Sequence, residues 1–128
     1  MTPLLEVLPP AQREFWPLLG ELPSHFVLYG GTAIALHLGH RVSVDFDFFT
    51  DASLDEAAKQ KLLDEVSWLE GADILQTDRD TLTVSLKRSA PIKVSFFGAI
   101  KNGCVSKPGR TDDGVTCIAS LDDLSLIN

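Results

Sequence analysis

YGGTAIALHLGHRVSVDFDFF, residues 29–49, decides the reading of this chain. A glycine pair, Gly30-Gly31, permits a sharp reversal after an apolar run, and Thr32 is placed to cap a helix that follows. Ala33 to Leu38 is apolar nearly all round apart from His37, which predicts a buried helix. Gly39 is a familiar helix stop. Asp45 to Phe49 then alternates strictly, which predicts a strand with both aspartates on one face and phenylalanines on the other. A bend rich in free backbone N–H groups and two hard carboxylates thus fall within one short segment.

Outward from it, Phe26 to Tyr29 reads as a short buried strand feeding the bend. Residues 11–20 predict a short helix broken or kinked at Pro17. Ser53-Leu54-Asp55-Glu56 reads as a capping box opening a helix to about Trp68, with Gly71 ending it. Asp73–Thr77, Leu82–Lys87 and Ile92–Phe97 alternate with turn signals and predict an antiparallel meander. Lys101 to Asp113 reads as an exposed loop, Val115 to Ala119 as one more strand, and Ser120-Leu121-Asp122-Asp123 as the start of a last helix.

A chain of 128 residues with 45% hydrophobic and 23% charged residues fits one globular domain spanning 1–128. The formal net charge of −7 argues against sequence-independent DNA binding, which needs a basic face. It leaves room for anionic substrates bridged by metal ions. The opening residues lack a basic-then-apolar leader, and the longest uncharged apolar stretch, Phe26 to His40, is too short for a membrane span. Cys104 and Cys117 fit no close metal-ligand spacing and read as reduced thiols. A cytoplasmic location is the expectation.

The chemistry has two open readings at this level. A glycine pair before a helix can bring backbone N–H groups and the helix dipole to a phosphate, or can serve a tight turn alone. Asp45 and Asp47 can share one or two Mg²⁺ ions, or can be the solvated face of an edge strand. Phe46, Phe48 and Phe49, preceded by Val42 and Val44, favour a packed strand. Paired acids on such a strand call for nearby cations, either a metal or Arg41 and Lys93.

Gly30-Gly31, the interval 32–44, and Asp45-Phe46-Asp47-Phe48 together resemble the signature of the polymerase-beta-like nucleotidyltransferase superfamily. The wording around it is similar to the AbiEii/AbiGii toxin family of nucleotidyltransferases, with its GGTALAL and HR-S-D-D elements. The likeness runs on through IKVSFFG to IASLDDL. It implies an α/β fold of the α+β kind, a small, mixed, largely antiparallel sheet flanked by helices. It also implies transfer of a nucleoside monophosphate from an NTP to an acceptor such as RNA or tRNA, with Mg²⁺ as two ions and an antitoxin protein encoded alongside. Carried over, Asp45 and Asp47 are the catalytic metal ligands, and Gly30 and Gly31 hold the triphosphate. Thr32 contacts a phosphate, Arg41 and Ser43 match the HR-S element, and Lys93 reaches phosphate or pairs with an acid. Arg41 either neutralises phosphate or orients Asp45.

Two departures qualify the likeness. The superfamily takes a third carboxylate from a neighbouring strand, and Lys93-Val94-Ser95-Phe96 places Ser95 there; Asp78, Asp80, Asp112 and Asp113 are the acids that could substitute. The family also continues past LDDL into further helices, so the chain reads as truncated. The alternative readings are a non-catalytic domain that binds a nucleotide or protein partner, and a fragment of a longer enzyme.

Overall fold

The computed structural model describes residues 1–39, 44–100, 109–121 and 123–124. Its centre is a seven-stranded sheet: β1 (Val27–Tyr29), β2 (Phe46–Phe49), β3 (Asp73–Asp78), β4 (Thr81–Lys87), β5 (Pro91–Phe97), β6 (Gly109–Arg110) and β7 (Cys117–Ile118), in the order β3-β4-β5-β2-β1-β7-β6. β2 runs parallel to β5 and β1 parallel to β7, and the other pairs are antiparallel. The expected mixed, largely antiparallel sheet is therefore present, with its meander at β3-β4-β5.

Period-two alternation sorts the side chains. Leu28, Phe46, Phe48, Leu82, Val84, Val94 and Phe96 are buried on one face. Helices close that face. In α1 (Pro10–Phe15) and the 3₁₀ turn Trp16–Glu21, Phe15 and Trp16 meet the Phe46 ring at 6.1 and 6.5 Å, and Trp68 stands edge-on to Phe15. Pro17 lacks the N–H that an α-ladder needs, so the chain tightens into 3₁₀ winding at the predicted break.

Several boundaries differ from those the sequence predicts. The glycines lie inside the second helix, α2 (Gly30–Leu38), whose N-cap is Tyr29, so Thr32 is not the cap. Gly39 ends α2 in the left-handed region (φ 69°), as expected. The third helix, α3 (Glu56–Glu65), is capped by Asp55, whose carboxylate accepts from the Ala58 N–H. Ser53 instead donates to Asp80, which also accepts from the Leu54 N–H, so the cap is displaced by a long-range tie. The predicted loop 101–113 contributes β6 at its far side, and the strand predicted over 115–119 shortens to β7. Ser120 does cap a turn, accepting from the Asp123 N–H. No helix among the described residues is long and apolar enough to cross a membrane.

The outermost strand, β3, is exposed along its whole length. Besides its ladder with β4, it is tied by Lys59 of α3, buried and donating to the Thr77 hydroxyl (2.8 Å) and the Asp78 carbonyl (2.6 Å), with Glu56 at 3.3 Å. A buried ammonium needs such partners, and here they fasten the helix to the sheet edge.

Candidate active site

The antiparallel pairing of β1 and β2 sets Tyr29 opposite Asp47, so the residue next after Tyr29, Gly30, arrives beside that carboxylate. Gly30 has φ +75°, and a Cβ built there would stand 2.8 Å from Asp47 Oδ2. Only glycine combines that backbone conformation with that approach. The acids and the bend thus converge on one place.

Two hydrogen bonds fix where β2 begins. The Thr32 hydroxyl, buried in α2, donates to the Asp45 carbonyl. Gln12 of α1, also buried, donates its side-chain amide to the Val44 carbonyl at 3.1 Å. Two helices therefore hold the backbone that presents Asp45 and Asp47, both of which are half-buried.

Across the β2–β5 pairing Asp47 faces Ser95, and across β5–β4 Ser95 faces Thr83. The Ser95 and Thr83 hydroxyls bond to each other at 3.0 Å, both buried. Lys93, exposed on the same face of β5, lies within electrostatic reach of Asp47. Burial raises the Asp47 pKa, the Asp45 charge raises it further, and Lys93 offsets part of this. Two carboxylates held close on a half-buried face destabilise each other until a cation joins them. The donor set is all oxygen and suits a hard divalent ion. The residues present therefore fit one, held by Asp45 and Asp47, with Gly30 leaving the space clear.

The structure brings Gly30, Asp45, Asp47, Lys93 and Ser95 together, and Gly31 and Thr32 stand in the same helix start. Arg41 and Ser43 lie outside the described residues, as does Cys104. The acids that could have stood in for a third carboxylate are engaged elsewhere. Asp78 accepts from Gln76, Asp80 from Ser53 and Leu54, Asp112 from the N-terminus and Thr2, and Asp113 from Trp16. Among the described residues no group of three or more His, Cys, Asp or Glu gathers into a metal cluster. His37 binds the Ala119 carbonyl at 2.8 Å, a packing role. Gln12 and Thr83 were invisible in the sequence because only strand order and helix docking place them.

A cavity of about 430 Å³, lined by residues that include His25, Phe26, Thr50 and Leu62, opens at the opposite end of β1 and β2. It lacks the glycine bend and the paired strand carboxylates. Chemistry rather than volume singles out the acid end.

The family described as nucleotidyl transferase AbiEii toxin, type IV TA system, matches residues 18–102. An uncharacterised protein of Aquifex aeolicus (strain VF5) is 39% identical over 104 residues, which is 80% of this chain and 47% of that protein. The chain thus spans about half the length of the curated relative it matches. A crystal structure of a candidate nucleotidyltransferase from H. pylori superposes with a TM-score of 0.56 at 17% identity, covering 88% of this chain and 52% of the other. That likeness is one of fold.

Proposed function

The chain belongs to the AbiEii nucleotidyltransferase toxin family of type IV toxin–antitoxin systems, and from that premise we propose that it carries the donor site for transfer of a nucleoside monophosphate from an NTP to an RNA acceptor such as tRNA. The observation that supports this reading is the meeting of Gly30 with the Asp47 carboxylate, with Asp45 near enough for its charge to act on Asp47. In the reaction an acceptor hydroxyl oxygen attacks the α-phosphorus, the bond to the β-phosphate oxygen breaks, and pyrophosphate leaves.

Asp45 and Asp47 hold the divalent cations, Mg²⁺ and two in number in this reading. Those ions, when bound, supply charge neutralisation at the triphosphate and at the departing pyrophosphate. The start of α2 directs backbone N–H groups toward the acids, where in this reading the polyphosphate lies. Gly30 and Gly31 permit the approach. Lys93 adds a positive charge on the acid face, and Arg41 and Ser43 complete the phosphate contacts carried over from the family. Thr32, its hydroxyl given to the Asp45 carbonyl, serves by positioning the acids. With Ser95 beside Asp47, the neighbouring strand offers no carboxylate for the acceptor's proton, which passes to water. A single cytoplasmic domain countered by an antitoxin completes the reading.

Ser95 also favours a second reading, a domain that binds a nucleotide without turnover. One experiment separates the two. Purified chain is incubated with Mg²⁺, each labelled NTP and mixed tRNA, beside Asp45→Ala and Asp47→Ala. The transfer reading expects label in RNA, reduced about 10²-fold or more by either substitution. Saturable NTP binding with no label in RNA would instead establish the second reading.

A further inference from the structure

The face that carries the acids also carries aromatic rings: Tyr29 belongs to the core cluster, Phe49 packs against it, and Phe97 lies beyond both. The packed face already holds Phe46, Phe48 and Phe96, each fully buried. On the other face Phe49, expected opposite the acids with Phe46 and Phe48, instead follows Asp47 by one alternation and shares the acid face. It pairs in register with Phe97 of β5, just as Asp47 pairs with Ser95. Both rings are half-buried, and Phe97 alone of the two is not packed against the core cluster. Tyr29 stacks on Phe49 with centroids 4.5 Å apart and planes 12° from parallel, while Phe97 meets Phe49 edge-on at 5.5 Å. Tyr29 and Phe49 therefore brace each other, and Phe97 is the outer ring of the set.

The spacing along the strand is informative. One alternation corresponds to about 6.6 Å, roughly the reach of a ribose between a phosphate and its base. A nucleotide whose phosphates lie at Asp47 and Gly30 can lay its base along the strand over the aromatic set. Aromatic side chains on an open sheet face are suited to this, since every base offers a π-face.

The geometry points to Phe97, braced by Phe49 and Tyr29, as a stacking platform for a nucleobase at the acid site. This inference rests on the phosphate-and-metal reading given above and adds to it the position of the base. The base belongs either to the NTP or to the end of the acceptor strand. The chemistry is the same in both cases, and the test has an arm for each.

Affinities are measured in Mg²⁺ by calorimetry for wild type, Phe97→Leu and Phe97→Trp, each first shown by thermal melt to be folded. In the first arm ATP is compared with inorganic tripolyphosphate, which has no base. In the second a short single-stranded RNA is compared with its abasic counterpart. We expect Phe97→Leu to weaken one base-bearing ligand roughly 5- to 100-fold, to leave its base-free partner within about twofold, and to be rescued by Phe97→Trp. A loss confined to ATP assigns the donor base, and a loss confined to RNA assigns the acceptor base. Equal losses with and without a base, or no loss for either base-bearing ligand, overturn the platform. Failure of wild type to bind both ATP and tripolyphosphate would instead overturn the underlying phosphate-and-metal reading.

Discussion

Asp47 and Asp113 are shifted in opposite directions, and the contrast sets a carboxylate at the proposed donor site beside one tied into the fold by hydrogen bonds. Burial and the Asp45 charge hold the Asp47 pKa above its ordinary 3.8. The folded chain then keeps that proton to higher pH than the unfolded chain. The associated stability is full below the ordinary value and is lost as pH rises through the folded pKa. Above the folded pKa the metal-free protein therefore lacks the stability that the Asp47 proton gives it. Burial also pushes Asp113 up, but hydrogen bonds from Thr111, Trp16 and the Val115 N–H outweigh it and hold the pKa low. Its contribution is present above the ordinary value and is lost as pH falls through the lowered one. Asp47→Asn should thus raise the thermal midpoint at pH 7 in EDTA, with the gain shrinking toward pH 4. The same change should remove the midpoint increase that Mg²⁺ gives wild type. A variant less stable than wild type in EDTA at pH 7 would contradict this. At this scale the sequence was informative: the alternation of Asp45 and Asp47 with phenylalanines placed both acids on one face. It could not reveal Gln12 or Thr83, whose roles depend on partners 32 and 12 positions away.

Helices and strands were legible in kind and less so in their ends. Local competition explains the misses. Ser53 has the sequence position of a cap, yet Asp80, reaching in from the β3–β4 turn, takes its hydroxyl and the Leu54 N–H. The cap passes to Asp55. Asp55→Ala should therefore cost about 1 kcal/mol in urea unfolding. Ser53→Ala should cost clearly less, because its 3.3 Å contact to Asp80 is exposed. The reverse ranking would restore Ser53 as the cap. Thr32 shows the same effect at α2, where Tyr29, not Thr32, precedes the first helical residue and the threonine hydroxyl is used to hold β2. The Gly30-Gly31 bend proved to be the first turn of the helix itself, which places its N–H groups closer to the acids than a separate loop would.

For the whole molecule, the meander was legible because consecutive strands pair locally, while the central order β5-β2-β1-β7 was not. Those neighbours are far apart in sequence, and nothing in the alternation of β2 says that its partners are β1 and β5. That order nevertheless makes the site. It sets Tyr29 and Ser95 on either side of Asp47, and brings Lys93 within reach of the pair. Motif spacing supplied the candidates, and the sheet brought them together. The central claim is that glycine bend and acid pair act as one site for a divalent ion and a polyphosphate. Calorimetric titration with NTP, with and without Mg²⁺, tests it most directly when wild type is compared with Asp47→Asn and Gly30→Ala. An alanine Cβ at Gly30 would meet Asp47 Oδ2 at 2.8 Å, in a backbone conformation that costs an L-residue about 1–2 kcal/mol. The account predicts saturable, Mg²⁺-dependent binding to wild type, weakened at least about tenfold in both variants while each remains folded. Binding that needs no Mg²⁺, or that neither substitution weakens, would contradict it.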